Sequence, residues 1–318
     1  VLTDGYNDIP LFAEALLGMS LHDGQRRFLE NANEKTNILV PANRWGKSVT
    51  IAVKHIHHCF YKTGIGRGNT EAHQKAKYQT VNLSPHSDTT KPVFEAILAI
   101  MRSSFPITQA DGSVKNNKCL IEWFLDSEHV RNSTPYYIPF INNASIIFRS
   151  TGEDQGKSIE GRSYGYISYD EGGQSHHLEY EYKRRILPRL GELNGQFDLV
   201  STPEMSSPSI LYHLELFQKG GGDNQDREPG FYSQEGTIVD NIFFMRSAPT
   251  YISDMKKQMQ GDPILEQVLY GKFVFAGDNL YPADDISAAL DDSLTPGKRR
   301  IDGHTYAIGI DTAMGEDE

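Results

Sequence analysis

The stretch PANRWGKS, residues 41–48, ends as a phosphate-binding loop and begins as something else. In the common pattern G-x-x-x-x-G-K-[ST], Gly46, Lys47 and Ser48 fit, and Pro41 occupies the place of the first glycine. A Gly-Lys-Ser/Thr triplet turns up by accident in roughly one chain of this length in six at ordinary residue usage, so the flanks decide. NILVP (37–41) is a short apolar run, and helical periodicity follows from about Lys47 to Tyr61. Strand, loop and helix in that order aim backbone amides and the helix dipole at an anion in the loop. Lys47 would then reach the β- and γ-phosphates of a nucleotide and the Ser48 hydroxyl would ligate magnesium. The alternative is an ordinary lysine at a helix start.

Composition narrows the class. The chain has 318 residues, 38% hydrophobic and 23% charged, which suits a soluble globular protein of one large domain or two smaller ones. No run approaches the roughly 20 apolar residues of a membrane span, and no basic-then-apolar signal segment opens the chain. Cys59 and Cys119 are too few for a disulfide framework or a zinc-finger cluster, so a reducing cytoplasm is expected. A net charge of -11 argues against a surface that grips nucleic acid everywhere, while leaving room for a local groove. The start at Val1 and the stop at Glu318, just after an apolar stretch, predict a fragment.

Apolar runs, turns and helical patterns alternate through the first two hundred residues, as expected of an α/β sheet with helices on both faces. YQTVNLS (78–84) reads as a strand, KPVFEAILAIM (91–101) as an amphipathic helix, and FINNASIIFRS (140–150) as a hairpin turning at Asn142 and Asn143. YGYISYDE (164–171) and QFDLVSTP (196–203) read as strands ending in polar residues, with the helix LEYEYKRRILPRL between them. Beyond Pro203 the character changes: KGGGDNQDREPG (219–230) is a loop by composition and APTYISDMKKQMQ (248–260) a helix. LDDSLTPGKRRIDGH (290–304) has linker chemistry and HTYAIGIDTA (304–313) starts a new strand. This predicts a core over 1–204, a small lid or linker subdomain over 205–285, and a linker with one further strand over 286–318.

The strand ending in Asp170 and Glu171 supplies what the loop lacks. Parallel sheets bind ligands at the carboxyl ends of their strands. Asp170 there can hold magnesium and Glu171 can polarise an attacking water; a solvated acidic pair is the plain alternative. Ser201 and Thr202, ending the next strand, could touch the γ-phosphate or cap the helix that follows.

Taken together, these residues resemble the large terminase subunit of tailed bacteriophages. The resemblance spans about residues 20–205 and rests on the arginine-bearing loop without its first glycine, the Asp-Glu strand end, the later Ser-Thr-Pro, and the glutamine of LHDGQRRFL. It implies a P-loop NTPase of the ASCE/RecA-like type, with a mainly parallel central sheet flanked by helices and a small lid subdomain. It also implies an ATPase motor, dependent on ATP and Mg2+, that packages double-stranded DNA into a procapsid through its portal. The small terminase subunit would be a partner, and the host cytoplasm the location. A homo-oligomeric ring is implied on assembly, with a monomer in isolation left open.

By position, Gln25 resembles the family's adenine-reading glutamine; its alternative is a surface glutamine on a helix. Pro41, Ala42, Asn43, Arg44, Trp45, Gly46, Lys47 and Ser48 form the nucleotide loop. Arg44, inside it, and Arg162, in EGRSYGYISYDE, are alternative arginine fingers, and one of them could be a surface charge. Ser201 and Thr202 would couple hydrolysis to motion. HTYAIGIDTA resembles the first strand of the family's ribonuclease-H-like nuclease, with Asp311 as a metal ligand. Its acidic partners would lie beyond Glu318, so nuclease activity is expected to be absent.

The rival readings are a helicase-like or DNA-remodelling P-loop ATPase, a small-molecule kinase, and a dead nucleotide fold serving as a scaffold. The first needs a second core and finds no room after residue 205; the second needs an acceptor base and none is visible. The third sits badly with Lys47, Asp170 and Glu171 together. His55, His58 and Cys59 have a spacing that could bind metal, without a partner cluster elsewhere. His176 and His177 could approach a nucleotide or simply make loop contacts. The KRR clusters at 183–185 and 298–300 could meet DNA phosphates, or be a solvated helix face and linker chemistry respectively.

Overall fold

A computed structural model describes residues 3–62, 77–102, 107–108, 114–115, 119–152 and 155–274. The chain divides into two units, Val1–Val274 and Phe275–Glu318. Residues 275–318 lie outside the described residues, and with them the end of the expected lid, the second KRR cluster and the strand ending in Asp311.

Strand β1 (Thr36–Pro41) is buried along its whole length, as the unbroken apolar run requires of a strand covered on both faces. Leu39 faces one core, and Ile38 and Val40 face the other. The remaining strands of its sheet are β2 (Gln79–Ser84), β5 (Tyr137–Pro139), β6 (Ser145–Ser150), β7 (Tyr166–Asp170), β8 (Gln196–Val200) and β9 (Phe231–Gly236). Their order is β5-β6-β2-β7-β8-β1-β9, and all run parallel except β5. The β5–β6 hairpin turns through Asn142 and Asn143, where Asn143 takes a positive φ of 64°. The dipeptide strands β3 (Ile107–Thr108) and β4 (Val114–Lys115) form a separate antiparallel pair.

One face of the sheet is covered by α1 (Ile9–Ala15), α2 (Asp23–Asn31), α3 (Lys47–Tyr61) and α4 (Lys91–Met101). The other carries a helical stretch over 178–190 and α7 (Ile210–Lys219). That stretch is α5 (Leu178–Tyr180), a π-turn (Glu181–Ile186) and α6 (Leu187–Leu190). α8 (Ile242–Ser247), α9 (Tyr251–Gln258) and α10 (Ile264–Tyr270) form a small helical group around Ala42, Ile238 and Leu269. Among the described residues no helix is long and apolar enough to cross a membrane.

Past residue 205 the chain first stays with the sheet. α7 joins the second core and β9 pairs with β1 from Thr36↔Phe231 to Pro41↔Gly236, so the chain returns to the sheet before the small helices begin. β9 is an edge strand, FYSQEG, with only two of its six residues buried, and so lacks the apolar run that marks the inner strands.

The buried polar residues in the middle of α3 are structural. Lys54, fully buried, pairs with Asp198 at 2.6 Å and donates to Ala32 O at 2.9 Å. Asp198 also accepts from Asn37 Nδ2 (2.8 Å) and Tyr166 Oη (2.9 Å). His55 bonds Thr80 Oγ1 and Ser168 Oγ, and His58 bonds Tyr78 Oη. His55, His58 and Cys59 are thus occupied as core polar groups; no cluster of metal-ligating residues occurs among the described residues.

Candidate functional site

The loop after β1 is built for close approach. Gly46 caps α3 with a φ of 108°, which a side chain rarely adopts, and a Cβ there would meet Gln25 Nε2 at 2.8 Å. No side chain caps α3, so its first-turn amides keep their donors for an anion. Arg44 also takes a positive φ, 64°.

The loop is fastened from three directions. Trp45, fully buried, donates from Nε1 to Asp240 Oδ2 (3.0 Å), while its ring meets His22 edge-on. His22 Nδ1 accepts from Gln25 N and its Nε2 lies 2.7 Å from Trp45 O, which fixes the tautomer with hydrogen on Nε2. Burial holds the His22 pKa below its usual value, keeping the ring neutral for that geometry. From the small helices, Asn241 Nδ2 donates to Arg44 O, and Asn43 N donates to Val268 O. The bonds to Trp45, Arg44 and Asn43 carry no sequence signal, because each joins residues far apart in the chain.

At the end of β7 the two acids part company. Asp170 lies 4% exposed, and its Oδ1 is buried without a hydrogen-bond partner. Burial, then the charge of Glu171, hold its carboxyl above the ordinary range, opposed by Lys47. Glu171 adopts a φ of 55°, with its amide held by Val200 O, and this turn carries its carboxylate to the Lys47 ammonium. Positive φ in a glutamate costs energy and concentrates at functional positions. Ser201 Oγ and Gln174 Nε2 both approach Glu171 Oε2 at 3.4 Å.

Thr202 completes the group. Its hydroxyl lies 2.9 Å from Lys47 Nζ and donates to Pro41 O at 2.9 Å. Lys47, at the start of α3, therefore meets Glu171 and Thr202, and Ser201 meets Glu171 in turn; all three partners follow the ends of β7 and β8. A buried carboxylate oxygen without a partner and the hydroxyl of Ser48 are the hard oxygen donors that magnesium takes, so Asp170 and Ser48 fit that ion.

The other sequence-read residues fall as follows. Gln25 is buried, and its amide donates to Gly46 O (3.3 Å) and Thr50 Oγ1 (3.2 Å), beneath the loop. Pro41 ends β1 opposite Gly236, Ala42 is buried under the small helices, and Asn43 and Arg44 are exposed. Arg162 is exposed on the approach to β7, whose length alone puts ~13 Å between its entry and Asp170. His176 and His177 are exposed beyond Glu171. In the first KRR cluster, Lys183 pairs with Glu179 on an exposed helix face, whereas Arg185 is largely buried and pairs with Glu160.

No family model matches the chain, and neither does any curated protein. Solved structures share its fold. The large terminase ATPase domain of Thermus phage P74-26 aligns over 82% of this chain and 97% of its own, at 17% identity and a TM-score of 0.53. The large terminase of a thermophilic bacteriophage aligns over 80% of this chain and 54% of its own, at 11% identity and a TM-score of 0.54. That of bacteriophage HK97 aligns over 84% and 55%, at 14% identity and a TM-score of 0.51. The chain thus has the fold of these ATPase domains and spans about half the length of the latter two proteins.

Proposed function

We propose that the chain is the ATPase domain of a large terminase, hydrolysing ATP to drive double-stranded DNA into a procapsid. The observation that carries the reading is the meeting of Lys47 Nζ with Glu171 and Thr202 at the uncapped start of α3. The fold shared with the phage ATPase domains supports it. The α3 amides and Lys47 bind the β- and γ-phosphates, and Glu171, freed from Lys47 by the competing phosphate charge, orients and deprotonates water. Ser48 and Asp170 would hold magnesium, which would supply charge neutralisation at the phosphates. Ser201 and Thr202 touch both the acid and the lysine and so register which of them holds the other. Gln25 reads adenine only after its amide leaves Gly46 O; in its present hydrogen bonds it positions the loop.

The portal, the small terminase subunit, a ring of like subunits and the host cytoplasm belong to the same reading. The test is phosphate release from ATP by the purified chain with Mg2+, with a non-hydrolysable ATP analogue as competitor. Turnover that the analogue suppresses is expected. Tight binding without turnover, in the chain alone and at assembling concentrations, would favour a scaffold instead.

A further inference from the structure

We infer that His213 is a positioning residue for hydrolysis, its imidazole drawing the Ser201 hydroxyl off Glu171 once nucleotide is bound, an inference that rests on the reading of the chain as an ATPase. α7 buries the stripe Ile210, His213, Leu216 and Phe217, so position 213 is one where an apolar side chain would serve the fold. The ring there is fully buried, and neither nitrogen has a hydrogen-bond partner. A buried donor and acceptor left unpaired cost stability, and packing alone gives no reason for them. Phe273 meets the ring edge-on at 5.0 Å, and burial lowers its pKa to about 3. The imidazole is therefore held in place and neutral, with one nitrogen protonated and the other an open acceptor.

The ring packs under the turn that carries the catalytic acid. Glu171 opens the short 3-10 turn Gly172–Gln174, and a Cβ added to Gly173 would lie 2.5 Å from His213 Nδ1 and 2.8 Å from Ser201 Oγ. Imidazole and hydroxyl thus converge on the bare Cα of Gly173, short of a hydrogen bond with each other, and a larger residue would close that approach. Ser201, fully buried, shares its one hydroxyl proton between Thr202 O at 3.0 Å and Glu171 Oε2 at 3.4 Å. Its amide is pinned to Leu39 O, so a change of rotamer moves the hydroxyl alone. His213 Nδ1 offers that hydroxyl an unused lone pair.

The consequence is for the strength of the base. A hydroxyl that donates to a carboxylate stabilises its charged form and makes it a weaker proton acceptor. While Lys47 holds Glu171, that donation reinforces the resting pair. When phosphate takes the lysine, passage of the Ser201 hydroxyl to His213 leaves Glu171 Oε2 to the attacking water and the long Gln174 contact. Without His213 the hydroxyl stays on Glu171 and hydrolysis slows, while nucleotide binding by the α3 amides and Lys47 is untouched.

The experiment pairs saturation kinetics with imidazole nitrogen NMR on the full chain. His213→Leu suits the apolar position and should lower kcat about 3- to 10-fold, the worth of one neutral hydrogen bond, with KM for ATP held. His213→Asn, whose Oδ1 accepts where Nδ1 does, should restore most of the loss. In a Ser201→Ala background His213→Leu should cost nothing further, because the hydroxyl it receives is gone. In the parent chain, a non-hydrolysable ATP analogue with Mg2+ should move the unprotonated His213 nitrogen upfield, as accepting a hydrogen bond does. Ser201→Ala should abolish that movement, and loss of the signal in His213→Asn assigns it. An unchanged kcat in His213→Leu, an equal loss in His213→Asn or in the Ser201→Ala background, or a nitrogen signal unmoved by the analogue overturns the role. If His213→Leu fails to fold, the spectra of the parent and of Ser201→Ala decide. Turnover by the parent is scored first: where it is present and the His213 signal stays unmoved, the ATPase stands and the role falls; where it is absent, the ATPase reading falls and takes the role with it.

Discussion

The Lys47 ammonium rests on the Glu171 carboxylate, joining the helix that follows β1 to the residue that follows β7. The two side chains are 13% and 19% exposed, so solvent screens the pair only in part. A polyphosphate carries more negative charge than one carboxylate and competes for the lysine, which leaves Glu171 able to accept a proton from water.

Lys47→Ala should therefore abolish turnover through loss of nucleotide affinity, because the phosphates lose their cation. Glu171→Gln keeps the shape and the amide held by Val200 O, and should bind ATP while turning over about 10² to 10⁴ times more slowly. Single-turnover hydrolysis alongside equilibrium binding separates the two. A Glu171→Gln variant hydrolysing at the parent's rate removes Glu171 as the base.

A second prediction concerns the support beneath the site. Lys54 is fully buried on α3, and burial lowers its pKa while Asp198 opposes the shift. Asp198→Ala leaves an uncompensated charge and strips partners from Asn37 and Tyr166, so it should cost about 3–5 kcal/mol in denaturant unfolding. Lys54→Met with Asp198→Leu removes both charges and should recover most of that loss. If the double variant is no more stable than Asp198→Ala, the single-variant loss does not come from the stranded charge.

Acid should destabilise the fold through its buried histidines. Burial lowers the pKa of His55 to about 3, of His57 to about 4 and of His213 to about 3. The unfolded chain binds protons near pH 6.5 where the folded chain does not, so the stability these groups contribute is present above that pH. It is lost as pH falls from 6.5 towards 3–4, by up to about 1.4 kcal/mol per unit for each group. His213 has no hydrogen-bond partner on either nitrogen, so His213→Leu should flatten the slope without lowering stability at pH 8. Urea titrations at pH 5 and pH 8 measure both. An unchanged slope in His213→Leu shows that this ring protonates alike in both states.

What could be read in the sequence was local. The apolar run of β1, the periodicity of α3 and α4, and the Asp-Glu strand end each lie within a few consecutive residues, and the helices span 47–61 and 91–101 as read. Trp45 illustrates what could not. In sequence it is one more loop residue, whereas its ring is buried between His22 and Asp240, the latter 195 positions away. The separation of Asp170 from Glu171 was hidden for a similar reason: the turn that parts them is held by Val200 on the neighbouring strand. β9 was hidden by its polarity, since an edge strand needs no continuous apolar run.

The two candidate arginines separate by position. Hydrolysis spreads negative charge over the γ-phosphoryl oxygens, and an arginine delivered there is worth roughly 10³ to 10⁵ in rate. Arg44 lies exposed in the loop with a strained backbone, its carbonyl held by Asn241, the placement expected of an arginine that serves its own subunit's nucleotide. Arg162 precedes β7 while Asp170 ends it, which leaves contact with a neighbour's nucleotide as its route to a phosphate. Arg44→Ala should lower the basal rate of the dispersed chain. Arg162→Ala should act only where subunits assemble, by removing the stimulation that assembly brings. Mixing Arg162→Ala with Glu171→Gln tests this directly, because the second subunit lacks a base but still offers its arginine to a partner whose base is intact. Recovery of turnover is expected in the mixture, at concentrations where sedimentation shows assembly. If assembled mixtures stay as slow as the Arg162→Ala protein alone, Arg162 is not the finger, and Arg44 is left as the arginine that meets the developing charge.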